Sequence, residues 1–296
     1  MLTEGAVIER LRREGSIPLD PWVLHAGFLY DPAGRRLLEE IFRQYLDIGR
    51  ETGLPMVILT PTWRASEERL QRAGLDGRDV NGDAVRFLRA LRRTYGPYAP
   101  RIFIGGLIGP RGDAYNPGDG LSCEESFLFH RRQAAALAQA GPDFLLASTL
   151  PALPEARGLA TALFSTGLPY ILSFIIDARG RLLDGTRLEA AIREIDLTVQ
   201  PPPAGYFVNC VHHSAMRTAL ESLAPVLRRR LLGFQANTSA RPPAELDGLP
   251  ELDAESPETF GAAMAALHAE FGLRVVGGCC GSDHRHIRRL AELLAR

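Results

Sequence analysis

Only four cysteines and a formal net charge of -1 occur in these 296 residues, and each shortage excludes a class of protein. Four cysteines are too few to staple a chain of this length as a disulfide scaffold, so the thiols are expected to stay reduced and available for metal binding or catalysis. No run of basic residues is long enough to leave an electrostatic footprint for nucleic acid or an anionic membrane. No segment holds about 18 uninterrupted apolar residues, the length a membrane-crossing helix needs. The opening stretch carries Glu4, Glu9, Arg10, Arg12, Arg13 and Glu14 where a secretory leader would be apolar, which predicts a cytoplasmic protein. There is no internal repeat or low-complexity tract, and Gly105-Gly106 with Gly109-Pro110 lacks the spacing and lysine of a phosphate loop. What is present is an ordinary globular composition, 46% hydrophobic and 23% charged, suited to small-molecule chemistry.

Short apolar runs ending in Gly, Pro, Thr, Ser or Asn alternate with longer stretches of helical period. Strands are predicted at 55–59, 102–105, 144–147, 170–175, 205–209, 231–235 and 275–278, with a weaker first strand at 6–8. Helices are predicted at 35–50, 84–94, 126–140, 156–164, 187–194, 215–223, 256–271 and 285–294. Parallel strands joined by helices follow from this rhythm. Eight such units point to an α/β fold, a single (β/α)8 TIM barrel filling 1–296 as one domain, with reactive groups where strands end. Residues 241–257, rich in Pro, Glu and Asp, are expected to form a surface loop beside the site.

Three of the four cysteines sit at predicted strand ends: Cys210 after Val208-Asn209, and the adjacent Cys279 and Cys280 within Gly277-Gly278-Cys279-Cys280-Gly281. Neighbouring strand residues face opposite ways, so the glycines must bend the backbone if both sulfurs are to converge. The interval between Cys210 and Cys279 spans two βα units at roughly 30 or more residues each, placing them on the sixth and eighth strands at the barrel's C-terminal mouth. Zinc is the natural convergence point, and three protein ligands with one open position describe a catalytic centre. Three thiolates make a poor centre for hydrolysis and a good one for holding a substrate thiol as thiolate, so alkyl transfer to sulfur is the chemistry expected. The opposing reading is an inert vicinal pair filling small core spaces. His212, His213, His284 and His286 flank the metal position and are expected as supporting donors or surface groups rather than ligands. His25 is expected in rim packing and Cys123, in the loop 118–125, in a structural role.

These motifs resemble the homocysteine S-methyltransferase family, whose zinc site combines Asn-Cys at one strand end with Gly-Gly-Cys-Cys-Gly at another. Glu4-Gly5-Ala6 is similar to the family's Asp-Gly-Ala opening, Thr60-Pro61-Thr62-Trp63-Arg64-Ala65-Ser66 to its Thr-Asn-Thr-aromatic-x-Ala-Ser segment, and Gly106-Leu107-Ile108-Gly109-Pro110 to its Gly-Ser-Ile-Gly-Pro stretch. His130-Arg131, Ser173-Phe174, Asp184-Gly185 and Asn237 fall in family order. The resemblance implies a zinc-bearing homocysteine-binding-like barrel that moves a methyl group from a sulfonium or betaine donor to a thiol, typically homocysteine giving methionine. It implies Cys210, Cys279 and Cys280 as zinc ligands, and Glu4, Gly5, Thr60, Trp63, Ser148, Asn209 and Asn237 around the substrates. Trp63 would offer a cationic donor an aromatic face worth about 0.5–2 kcal/mol; a core-packed tryptophan is the equal alternative.

The departures are as informative. Ser148-Thr149-Leu150-Pro151 stands where the family has Glu-Thr-x-Pro, so the carboxylate expected to grip the substrate ammonium is missing, and a buried unpaired ammonium is costly. Glu4 in place of Asp, Pro61 in place of Asn, Ala236 in place of Pro and His284 in place of Pro also alter the pocket. Either another carboxylate compensates or the acceptor is a different thiol or selenol. A noncatalytic zinc or thiol sensor is the alternative from another class.

Overall fold

Along the central strands apolar side chains alternate between two dry surroundings, so both faces need cover, as in a parallel sheet wrapped by helices. The computed structural model, which describes residues 1–14, 17–241, 245 and 252–295, meets that need with a closed barrel of parallel strands in chain order. They are β1 (Leu2–Thr3), β2 (Met56–Leu59), β3 (Ile102–Ile108), β4 (Phe144–Leu150), β5 (Tyr170–Phe174), β6 (Gly205–His212), β7 (Leu231–Asn237) and β8 (Val275–Gly278). Leu2 closes the cylinder, lying opposite Met56 on one side and Val276 on the other. The (β/α)8 architecture expected from the rhythm is therefore present.

Helices Pro32–Thr52, Val80–Arg93, Cys123–Ala140, Leu153–Phe164, Leu188–Thr198, His213–Ser222, Pro257–Phe271 and His284–Leu294 follow the eight strands in turn. Asp31, Ser122, Ser256 and Asp283 accept amide hydrogens at four of their N-termini, satisfying donors that a helix start leaves unpaired. Outward strand residues such as Ile58, Ile104, Leu172 and Val208 join Leu38, Phe42, Leu88 and Leu159 of the helices in the main core. Inside the barrel Val57, Leu59, Leu146 and Phe207 form a second core with Phe103, Phe144 and Ile171 against it. Large rings fit because Gly105 and Gly233 lie beside them: a Cβ at Gly105 would strike Leu59 and Phe144, and one at Gly233 would strike Phe207. Two residues further along the same inward faces the lining turns polar, Leu146 giving way to Ser148, Ile171 to Ser173 and Phe207 to Asn209. That change of polarity puts the chemistry at one mouth of the barrel.

The first strand is Leu2–Thr3 and not 6–8, which instead leads into the short helix Ile8–Glu14. Pairing starts with the second residue, whose N–H donates to Pro55 O at 2.8 Å, and two residues are too few to display a period. Helix Glu67–Arg72 has no counterpart among the predicted elements, and Cys123, expected in a loop, is the first residue of its helix behind the Ser122 cap. Strands β3, β4, β6 and β7 run further toward the mouth than predicted, and Cys210 lies within β6 rather than after it. Of the loop expected at 241–257, residues 242–244 and 246–251 lie outside the described residues.

Candidate active site at the barrel mouth

Near the mouth β4 and β6 each bulge by one residue against the neighbouring strand. The β4–β5 register slips between Ala147 and Leu150, and the β6–β7 register between Asn209 and Val211. Thr149 and Cys210 occupy these bulges with φ of 61° and 56°, a region that costs a non-glycine residue of order 1–3 kcal/mol. Side chains offset the cost. Asn209 Oδ1 accepts the Thr149 N–H at 3.0 Å and the Ser173 hydroxyl at 2.6 Å. The Thr149 hydroxyl accepts from Trp63 Nε1 at 2.8 Å and donates to its neighbour's carbonyl, Ser148 O, at 2.5 Å. A bulge re-aims the side chain that follows from it, and at Cys210 it turns the sulfur toward β8.

The glycine-flanked pair on the other side is held equally firmly. Cys279 N donates to Ala236 O at 2.7 Å, and Cys280 N donates to Asn237 Oδ1 at 3.1 Å. Gly281, at φ 82°, presents its N–H to Glu9 of helix Ile8–Glu14, and a Cβ there would overlap Thr238 Oγ1. The three sulfurs of Cys210, Cys279 and Cys280 lie within 4.8 Å of one another. Cys210 and Cys279 are joined as a disulfide across a Cα–Cα distance of 5.5 Å, and Cys280 is a free thiol, so the three free thiolates expected from sequence correspond to the reduced chain. Zn–S bonds of about 2.3 Å in a tetrahedron need sulfurs roughly 3.8 Å apart, a spacing this cluster accommodates. Once reduced, the donor set fits a soft divalent cation. As a free thiol, Cys280 is pushed up to about 12 by burial, with the Glu9 carboxylate adding to the rise and Arg12 opposing it.

The sulfurs line a cavity of about 940 Å³, whose wall includes Glu4, Gly5, Thr60, Trp63, Ser148, Asn209 and Asn237. Glu4 is buried, accepts the Leu59 N–H at 2.9 Å, and is lifted well above the usual carboxylate range by burial, the backbone donor pulling the other way. A Cβ at Gly5 would press on Ser282 Oγ and the Tyr45 hydroxyl, 2.9 Å away in each case, which explains the glycine without a ligand. The Thr60 hydroxyl accepts from Leu107 N at 2.8 Å and meets the Thr62 hydroxyl at 2.7 Å, so it braces β2 against β3. Asn209 lines the cavity while its oxygen holds Thr149 and Ser173. Trp63 is half-buried with the Arg64 guanidinium over its ring at 4.5 Å. One aromatic face expected for a cationic donor is thus already covered by a cation of the protein's own.

His25 is buried in the cavity wall, lowered to about 4 by burial, and its Nδ1 has no hydrogen-bond partner. His286 works in the helix cap, bonded to Asp283, and His212 and His213 gather on Glu255 rather than on the cysteines. Cys123 receives a hydrogen bond from Arg157 Nε at 3.3 Å. Sequence reading missed Glu9, Thr149 and Tyr115, all in the cavity wall. Glu9, Arg12 and Arg13 share one helical face by their spacing, and Tyr115 is the lone aromatic of a polar loop; these were the available signals.

Comparison with known proteins agrees with this arrangement. The family model described as homocysteine S-methyltransferase matches residues 1–294. Betaine–homocysteine S-methyltransferase 1 of Rattus norvegicus is 27% identical over 320 residues, covering 100% of this chain and 72% of that protein. Homocysteine S-methyltransferase of Escherichia coli is 26% identical over 238 residues, covering 75% of this chain and 73% of that one. Among solved structures, the homocysteine methyltransferase MmuM from Escherichia coli shares the fold. Its metallated form aligns with a TM-score of 0.77 at 22% identity over 99% of this chain and 96% of that one. Its oxidized form aligns at 0.75 and 24% over 98% and 94%. With the family model matching nearly end to end over a barrel that gathers the cysteine motifs at its mouth, the chain belongs to the homocysteine S-methyltransferase family.

Proposed function

We propose that the whole chain acts as one zinc-dependent barrel that moves a methyl group from a small sulfonium or betaine donor to a thiol, homocysteine giving methionine. The observation that carries this reading is the meeting of Cys210, Cys279 and Cys280 within 4.8 Å on the wall of a large cavity. When bound, zinc supplies one coordination position at which an acceptor thiol is deprotonated yet remains nucleophilic. Cys210, Cys279 and Cys280 are the residues that would hold it. The Asn237 side chain fixes the amide before Cys280, and Glu9 fixes the one after it. The barrel mouth aligns acceptor sulfur, methyl carbon and leaving group, which is the proximity contribution to rate. An acceptor ammonium beside Glu4 would give that buried carboxyl the counter-charge it lacks. Metallated and oxidized forms are known for MmuM of Escherichia coli, and we read the disulfide here as an oxidized state and the metal-binding state as the reduced one. A reducing cytoplasm is the compartment in which that second state persists.

Ser148 favours a second reading of the acceptor. It stands in the cavity wall at the fourth strand end, where a family carboxylate is replaced by a hydroxyl, so a thiol or selenol without an α-ammonium is the alternative substrate. The test is to incubate reduced, zinc-loaded protein with homocysteine and S-methylmethionine, then with other thiols and with betaine. Methionine formation supports the first reading, and turnover confined to thiols lacking the ammonium supports the second. No turnover across the panel, or a Cys210–Cys279 bridge that survives reductant, overturns methyl transfer and leaves a thiol or metal sensor.

A further inference from the structure

The bulge that aims Cys210 inward is followed at once by two histidines that the methyl-transfer reading leaves unused. His212 ends β6, His213 opens the next helix, and their rings lie 3.9 Å apart between centroids. Both Nε2 atoms face one carboxylate: His212 reaches Glu255 at 2.9 Å, and His213 reaches its two oxygens at 3.2 and 3.1 Å. The three ligand atoms lie within 4.8 Å of one another, and all three side chains are partly shielded, with 12, 21 and 24% of their side-chain surface exposed.

The surroundings are built to hold this arrangement. Glu255 is fixed on both sides of its own peptide, its N–H donating to Thr238 O at 2.9 Å and its carbonyl meeting His286 Nε2 at 3.0 Å. His212 Nδ1 lies 2.8 Å from Ser214 Oγ. Nδ1 also accepts the Ser214 N–H at 3.3 Å, so without an ion the ring hydrogen sits on Nε2 toward Glu255. A cation at Nε2 would take that place, with the hydrogen moving to Nδ1 and donated to the Ser214 hydroxyl oxygen, the usual support for a metal-ligating histidine. Arg217, one turn on from His213, is occupied by Glu270 at 2.6 Å and Glu221 at 3.8 Å, so its charge is compensated elsewhere.

We propose that His212, His213 and Glu255 form a second divalent-metal site, separate from the cysteine cluster. Two imidazoles and a carboxylate suit zinc, cobalt, nickel or iron(II) and lack the soft sulfur of the first site. An ion there ties residues 252–255 to the barrel rim. Leu252 and Asp253 of that segment line the cavity, and Thr238 connects the two sites, its N–H donating to Cys280 O at 3.1 Å while its carbonyl holds Glu255. The second ion thus stiffens one wall of the pocket.

The test is titration of the reduced full chain with Co2+ alone. Two equivalents should bind, one giving the intense near-ultraviolet charge transfer of thiolate ligands and one giving only weak visible bands. His213→Ala and Glu255→Gln should weaken the second equivalent at least a hundredfold and keep the thiolate band, whereas Cys280→Ser should do the reverse. Saturation at one equivalent in the parent chain, or two undiminished equivalents in both variants, overturns the proposal. Anomalous diffraction from the parent protein grown with Co2+ decides the matter if a variant folds poorly: a peak among His212, His213 and Glu255 supports the site, and its absence refutes it. Because the two sites have different spectra, loss of one is not confused with failure of the other.

Discussion

Asn209 Oδ1 accepts the backbone N–H of Thr149 at 3.0 Å, joining the bulge of β4 to the bulge of β6 across β5. The same oxygen takes the Ser173 hydroxyl, so one side chain sets the positions of three strand ends. Asn209→Ala leaves two buried donors without an acceptor and is expected to cost about 1–3 kcal/mol. Asn209→Asp, which keeps an oxygen there, should recover part of that loss. Urea unfolding of the three proteins measures both, and parent-like stability in Asn209→Ala would show that the bulges stand without this tie.

Cys210→Ser and Cys280→Ser should each abolish methyl transfer and the zinc equivalent held at the cysteine cluster. Asn237→Ala removes only the acceptor of the Cys280 amide, and should lower zinc affinity by the roughly 10–100-fold typical of a partner outside the ligand shell. Metal analysis after dialysis against a competing chelator ranks them. Equal retention in all three would place the metal elsewhere. Without reductant, the parent itself should fail to load the cysteine site, since a disulfide sulfur is no thiolate donor.

Glu4 gives a pH dependence with a definite sign. Its carboxyl is raised well above 4.5 by burial, so the folded chain takes up a proton that the unfolded chain has released at the same pH. The stability this provides is complete below 4.5 and is lost as pH climbs through the raised folded value. Glu4→Gln, neutral throughout, should therefore gain stability relative to the parent as pH increases above 4.5. Denaturant midpoints across a pH series would show the two curves diverging upward; parallel curves would mean that the carboxyl ionises freely in the fold.

Ser148→Glu introduces a carboxylate into the cavity wall. If an amino-acid thiol is the acceptor, KM for homocysteine should fall about tenfold, equivalent to roughly 1.4 kcal/mol, with little change for thiols lacking an ammonium. A uniform loss across acceptors would instead indicate that the pocket cannot house the longer side chain.

Much of this was legible in the residues. The strand-helix rhythm fixed the barrel because every strand but the first is long enough to show its apolar character; Leu2–Thr3 is not. The cysteine motifs pointed to one mouth because strand order and unit length place β6 and β8 on the same rim. Neither bulge could be read, since Thr149 and Cys210 adopt left-handed φ only because the neighbouring strands hold them there. Thr60 lines the cavity and its hydroxyl also accepts from Leu107 of β3, 47 residues away, a contact that no local pattern records. The meeting of His212 and His213 with Glu255 likewise depends on how residues 252–255 lie back across the rim.

The segments that complete the cysteine pocket come from opposite ends of the sequence. Ala6 N bonds Ser282 O at 3.2 Å, Gly278 N bonds Glu4 O at 3.2 Å, and Gly281 N bonds Glu9. During synthesis the early residues must therefore wait, with their partners unmade, until position 282 has left the ribosome. Any metal capture by the three sulfurs would therefore come late, and a nascent chain stalled before residue 279 would carry Cys210 without either of its two partners.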